Sequence, residues 1–298
     1  MNLNRVKAIV SKDFYWAKNN AKLLGITLMP ALMNVFFAKT AGAAMFAISL
    51  SFSISMIGIF LTSFLLIEEK RKGTLKALLT TPLTNAELLF GKFLFTFSLC
   101  MLIALFSLAV NSRLDLVYNP IAVLNIAIFS ATTCFIGFIQ GLFFKNEQEM
   151  GVAAPIILLL FTVGPAIEEA TDSDVAAYFP DYHFTHSLDT KEISYFEALF
   201  HTSYGLAIAL VAFFFAVSFA RFYFSNNNER RFSPYLGIVL TFFVSTYFVS
   251  GLISPSVIKN NSAKAQTDLA ELSIGSKNWL VNMKLQRREV LVTFPGIM

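Results

Sequence analysis

Long apolar segments, separated by short polar ones, constrain the fold of this chain more than any other feature of its sequence. A helix needs about 20 mostly apolar residues to cross a bilayer core, and it satisfies its own backbone polar groups there. Only 14% of the residues are charged, against about a quarter in soluble domains. The sequence therefore predicts an all-α polytopic membrane protein. The predicted spans are Leu23–Ala38, Ala43–Ile67, Phe93–Val110, Ile121–Phe144, a fifth that Gly151, Pro155, Gly164 and Pro165 interrupt, Tyr204–Phe224, and a seventh, Tyr235–Ile253.

Residues 1–22 precede the first apolar segment and have the pattern of an amphipathic helix. Leu3, Val6, Val10, Phe14 and Ala17 recur at helical spacing. The membrane-surface residues are Arg5, Lys7, Lys12, Trp16 and Lys18. Basic and aromatic residues together suit the headgroup region of an anionic leaflet, so we expect an interfacial helix on the cytoplasmic side. The alternative, a cleaved signal peptide, requires its apolar region directly after a short basic start.

Segment 68–92 is the one substantial charged and turn-rich insert in the apolar first half. Thr74 is expected to cap a short helix with Leu75, Leu78 and Leu79 on one face, and Pro82 to end that helix. Thr84, with Glu87 three residues later, has the form of a capping box that starts the next helix. These patterns leave two interpretations open: a hairpin that only reverses the chain, or a docking surface.

The same segment resembles the signature of the ABC-2 family of transporter permeases. The matching residues are Glu69, Gly73-Thr74, Leu78-Leu79, Pro82-Leu83 and Gly91-Lys92. In that family the segment follows the second span on the cytoplasmic side and carries a coupling helix that enters a cleft of the ATPase subunit. The resemblance implies a type V exporter-like domain of six spans in the cytoplasmic membrane, here with a seventh added. It implies an ATPase-coupling interface of Glu68, Glu69, Gly73, Thr74, Leu75, Leu78, Leu79, Pro82 and Leu83.

The resemblance also implies partners. We expect two cytoplasmic ABC ATPase subunits, which bind ATP and Mg, and a second permease, either another copy or a sister chain. No cofactor is expected on this chain, because its sequence contains no G-x-x-x-x-G-K-[ST] loop. Its basic residues lie at span ends and form no stripe for nucleic acid. The chain is therefore predicted not to be an enzyme.

An acidic loop, residues 167–203, follows the fifth apolar segment and is expected outside the membrane. It contains eight acidic residues but only one basic residue, Lys191. Asp181, His183 and His186 are a candidate metal site there, since carboxylate and imidazole bind transition metals. The preferred alternative is a solvated acidic loop, because no strict ligand spacing such as H-E-x-x-H is present.

The C-terminal part suggests a branch of the family. Residues 178–188 resemble the outer loop of gliding-motility-type ABC permeases. Thr267-Asp268-Leu269 and Leu272-Ser273 resemble the opening of the auxiliary membrane protein of that branch, although the order departs from its D-L-T. We thus expect three parts: the surface helix 1–22, the permease domain 23–232, and 233–298 with the seventh span and an outside tail. An extracytoplasmic auxiliary protein is a further expected partner.

Two functions fit this sequence. The first is export or extrusion of a substrate driven by a separate ATPase. The alternative is a structural or force-transmitting membrane anchor that moves no solute. An ion channel is disfavoured, because apart from Gln140 the spans offer almost no polar or ionisable residues to line a path.

Overall fold

The computed structural model of this chain describes residues 2–40, 43–75, 84–171, 176, 179–188 and 195–225, which are largely helical. The helices are α1 (Leu3–Lys18), α2 (Ala21–Thr40), α3 (Ala43–Ser55), α4 (Thr62–Arg71), α5 (Asn85–Val110), α6 (Pro120–Phe143), α7 (Glu147–Leu160), α8 (Gly164–Thr171), α9 (Pro180–His186) and α10 (Tyr195–Ser225). A π-helical turn, Met56–Leu61, joins α3 to α4, so the two form one continuous rod, and a 3-10 turn, Leu114–Tyr118, precedes α6.

Four described helical stretches are long and apolar enough to cross a membrane: Phe46–Arg71, Asn85–Val110, Pro120–Phe143 and Phe196–Arg221. A fifth span is possible if α1 and α2 are one broken element, bent by 85°. This bend agrees with a surface helix that leads into a span. The protein is therefore a multi-pass membrane protein with four or five candidate spans.

The predicted count of six spans plus a seventh is not confirmed. The fifth apolar segment folds as two short helices, α7 and α8, separated by residues 161–163. Neither helix is long and apolar enough to cross a membrane. Pro155 lies inside α7 without ending it. The seventh segment, Tyr235–Ile253, and the tail lie outside the described residues.

Glycine contacts hold α6 against the α3–α4 rod in the middle of the protein. A Cβ added to Gly137 would collide with the carbonyl oxygen of Gly58, in the π-helical turn. One added to Gly141 would lie 2.9 Å from Leu66 Cβ. Ser63 Oγ reaches across the same contact and donates to the Gly137 carbonyl oxygen at 3.0 Å. Gly137 and Gly141, four residues apart on one face of α6, thus allow the two helices to approach closely.

Candidate functional site

A buried group of charges lies where α1, the end of α4 and the start of α5 meet, and we call Lys12, Asp13, Glu69 and Lys92 the ionic junction. Lys92 Nζ lies 3.2 Å from Asp13 Oδ2 and 3.0 Å from Glu69 Oε2. Lys12 pairs with Glu69 Oε1, and its Nζ lies 3.6 Å from Asp13 Oδ1. Asp13 and Lys92 are completely buried, and Glu69 is 5% exposed.

The junction contains two ammonium groups and two carboxylates, so its formal charge is zero. Removing such groups from water costs several kcal/mol per ion, which attraction offsets only when every charge has a partner. The geometry meets that condition because Lys92 lies between the two carboxylates and Lys12 contacts both of them. The junction therefore fixes three helices relative to one another.

A second link joins the start of α1 to the start of α5 through Glu87. Its Oε2 accepts from the Thr84 backbone N–H at 3.0 Å, and the Glu87 backbone N–H donates to Thr84 Oγ1 at 3.2 Å. This reciprocal pair confirms the predicted capping box. The other oxygen, Oε1, accepts from the Asn2 backbone N–H at 2.6 Å, and Arg5 lies 3.5 Å from Oε2. Glu87, which caps α5, thus also contacts the start of α1, which is distant in the sequence.

Apolar packing closes the space between these two links. Ile9, Leu75 and Leu88 form a small buried cluster. A Cβ on Gly91 would lie 2.9 Å from Ile9 Cβ, so a larger residue there would push α1 away from α5. Gly73 has a φ of +70°, the left-handed conformation that ends helices and favours glycine. The glycines of the motif thus have distinct structural roles.

The remaining charges near the end of α4 bind other helices. Lys70 Nζ donates to two carbonyl oxygens at the end of α6, that of Leu142 at 2.5 Å and that of the C-cap residue Phe144 at 3.1 Å. Arg71 pairs with Glu68 at 2.7 Å and approaches Glu147, at the start of α7, at 3.5 Å. Together with the contacts of Glu69 to α1 and α5, these bonds to α6 and α7 connect the last turn of α4 to four other helices.

The predicted membrane-surface helix is a helix, and one of its faces packs against the bundle. Val6, Ile9 and Asp13 are buried against the bundle, whereas Leu3 and Phe14 are exposed. Of the predicted surface residues, Arg5 and Lys12 form ion pairs, Trp16 lies under Lys72 Nζ at 4.7 Å, and Lys7 and Lys18 are exposed. Val10 and Ala17 of the predicted stripe are partly buried against the bundle, and the position of this helix on the membrane surface stays a prediction.

The structure brings together only part of the predicted coupling interface. Glu69 belongs to the ionic junction, and four other predicted residues follow or precede it closely in the chain: Glu68, Gly73, Thr74 and Leu75. The remaining four lie outside the described residues: Leu78, Leu79, Pro82 and Leu83. Sequence reasoning missed Asp13 altogether and assigned Lys92 no role. The available signal was a single aspartate in an otherwise basic helix, at a position of the packed face.

The candidate metal residues at the other end of the bundle do not converge. Asp181 Oδ2 accepts from the Gly164 backbone N–H at 3.0 Å, at the start of α8. His183 Nδ1 lies 2.8 Å from His201 Nδ1, and His186 packs on Tyr182. In the described part of the chain, no three His, Cys, Asp or Glu residues are placed to bind a metal ion. Burial raises the pKa of Asp181 to about 7, although the Gly164 N–H opposes this shift.

Comparison with protein families identifies the membrane domain. Residues 6–220 match the family described as ABC-2 family transporter protein. The chain belongs to the ABC-2 transporter family. No curated protein matches this sequence. The ABC-2 match begins at residue 6, within α1, and ends at residue 220, within α10. It therefore includes the ionic junction and all the described helices between α1 and α10. The protein is thus the membrane permease component of an ABC transporter, a class in which the ATPase is on a partner chain.

Replacing Lys92 with Met should destabilise the protein, because it leaves two buried carboxylates with one shared partner. We expect a loss of about 3–5 kcal/mol in the free energy of unfolding, measured by denaturation in detergent. The double variant Lys92→Met/Asp13→Asn should recover part of this loss, since the remaining Lys12–Glu69 pair is neutral. Lys7→Met, which removes an exposed lysine of α1, is the control. Equal destabilisation by Lys92→Met and Lys7→Met would contradict the prediction.

The raised pKa of Asp181 predicts a pH dependence of stability. Between its ordinary pKa of 3.8 and its folded value of about 7, the folded chain binds a proton that the unfolded chain has released. The free energy of unfolding should therefore fall as pH rises through this window, and the loss should be complete above pH 7. Asp181→Asn should flatten this slope in thermal unfolding measured from pH 5 to 8. Asp115→Asn, at an exposed position, should leave the slope unchanged, and an unaltered slope in Asp181→Asn would refute the assignment.

Proposed function

We propose that this permease couples ATP hydrolysis by two cytoplasmic ATPase subunits to the export or extrusion of a substrate, with segment 68–92 as their docking surface. The substrate class, whether peptide, lipid, polysaccharide or drug, is not identified. The N-terminus is inside in this proposal, and a second permease, identical or sister, completes the membrane unit. The observation that carries the proposal is the ionic junction, which binds both ends of segment 68–92 to α1.

The junction supports coupling because the segment leaves and re-enters the bundle beside it. Glu69 lies in the last turn of α4, which ends at Arg71, and Lys92 lies seven residues after Asn85, the first residue of α5. Both side chains contact Asp13 or Lys12 of α1. A displacement of the segment would therefore move α1, α4 and α5 together as packed elements, which is how small movements at one site become helix shifts elsewhere.

Docking can be tested by purifying the tagged chain in mild detergent and identifying its partners by mass spectrometry. A subunit with a Walker motif should co-purify. It should be lost when Leu78 and Leu79 both become Asp, because charges on that face would oppose insertion into an apolar cleft. The matched control replaces Leu114 and Val117, exposed in the turn before α6, with Asp and should retain the subunit. Retention in both double variants would eliminate segment 68–92 as the docking surface.

A second candidate function is an ATP-driven structural or force-transmitting anchor of a gliding or envelope machinery that moves no solute. The resemblance of residues 178–188 and of the tail to the gliding-motility branch favours it. On this proposal an extracytoplasmic auxiliary protein binds the acidic loop or the tail.

Deleting residues 262–298 separates the two functions. An extruder should keep its ATPase partner and its substrate movement, because the tail lies beyond the permease domain. An anchor should keep the ATPase but lose extracytoplasmic partners, which co-purification from cross-linked cells would reveal. If the truncated chain keeps every extracytoplasmic partner of the full chain, the tail is not the anchor's binding segment.

A further inference from the structure

An apolar groove of about 540 Å³ lies between α5, α6 and α10, away from the ionic junction's charged side chains. Six phenylalanines line it, two from each helix: Phe90, Phe93, Phe135, Phe138, Phe213 and Phe224. Its volume is within the range of ligand sites, about 300–1,000 Å³. The groove is therefore large enough for an elongated apolar ligand.

Polar side chains line the groove at only one end. Asn85 begins α5, and Arg221 lies close to the end of α10. Phe213 lies eight residues before Arg221, which is about 12 Å along a helix axis. The groove thus runs from a cationic mouth into a long apolar interior, a distribution that matches an acyl chain with an anionic head.

The groove faces the region that lipid occupies. Both α5 and the Phe196–Arg221 part of α10 are candidate spans. Phe90 is 39% exposed and Phe213 is 49% exposed, so the lining is accessible from the bundle surface. A ligand can enter sideways from the bilayer without crossing the packed interior.

Arg221 differs from the other cations at this end of the bundle. Lys92 and Arg71 pair with carboxylates, whereas in the described part of the chain no ion pair of Arg221 is found. A guanidinium group binds phosphate in a bidentate manner and retains its charge in nearly any environment. The mouth therefore complements a phosphate, and net negative headgroups are concentrated in the cytoplasmic leaflet, where this end is expected to lie.

We propose that the groove is a binding site for one anionic phospholipid, whose acyl chain packs against the phenylalanines and whose phosphate pairs with Arg221. The lipid bridges residues 85–93 of α5 and residues 213–224 of α10. Since α5 also carries Lys92, the lipid would support the helix that leaves the ionic junction. The proposal does not rest on the coupling function: Asn85 and Phe90 belong to the end of segment 68–92 that re-enters the bundle, but lipid binding is measured without the ATPase.

The test uses tryptophan fluorescence quenched by lipids brominated at mid-chain, in a background in which both tryptophans, Trp16 and Trp279, are replaced by Phe. Phe213→Trp places the probe in the groove. Phe214→Trp, on the neighbouring and more exposed residue, places it outside the lining. The two variants share a helix and a depth, so they separate binding in the groove from general contact with lipid.

In vesicles that contain a minority of brominated phosphatidylglycerol or brominated phosphatidylcholine, Phe213→Trp should show a roughly fivefold preference for the anionic lipid. That ratio is what one basic residue contributes near a membrane surface. Arg221→Gln should abolish the preference, and Arg221→Lys should retain part of it. Phe214→Trp should be quenched equally by both lipids.

Three results would overturn the proposal. Equal quenching of Phe213→Trp by both lipids would show no headgroup selection. An anionic preference in Phe214→Trp as well would indicate only a general surface attraction. Absence of quenching in Phe213→Trp would mean that a second copy or another part of the chain covers the groove. A second measurement needs no new tryptophan. The original chain should retain phosphatidylglycerol through purification in detergent, and Arg221→Gln should lose it.

Discussion

The buried ammonium of Lys92, between Asp13 and Glu69, is the interaction on which the arrangement of the charged end depends. A lysine with no exposure cannot be moved without its partners, because each unpaired charge would bear the full cost of desolvation. The partners come from two other helices, α1 and α4. All the charges are thus paired only when the helices α1, α4 and α5 are correctly positioned relative to one another. Apolar packing alone, as between Ile9 and Leu88, would tolerate a wider range of positions.

The charged residues at the end of α4 explain why this helix contacts so many neighbours. Its last turn presents four consecutive charged residues, Glu68 to Arg71, which point in different directions around the helix because successive residues are about 100° apart. Glu69 contacts α1 and α5, Lys70 caps α6, and Arg71 reaches α7. A charged run at a span end is usually a solvated face. Here it holds the ends of several helices together.

Local signals in the sequence predicted local structure well. The capping box of Thr84 and Glu87 depends on neighbours in sequence, and the helical state of residues 3–18 depends on a helical repeat. The ionic junction could not be predicted in this way, since Asp13 and Lys92 are far apart in the chain and only the fold brings them together. Nor could the packed face of α1 be predicted from its apolar repeat, because the buried Asp13 interrupts the repeat on this face, whereas the apolar Leu3 and Phe14 are exposed.

The two helices that leave the charged end differ in the regularity of their backbones, and this affects how the proposed coupling would work. The α3–α4 rod contains a π-helical turn at Met56–Leu61, where Gly58 packs against α6. Such turns are often found at functional sites. In contrast, α5 is regular from Asn85 to Val110, with Lys92 about two turns after its start. A push on segment 68–92 would be absorbed in part by the π-helical turn of one helix and transmitted along the whole length of the other. On the proposed mechanism, α5 is therefore the element that carries movement across the bilayer, and the lipid groove lies along the side of that same helix.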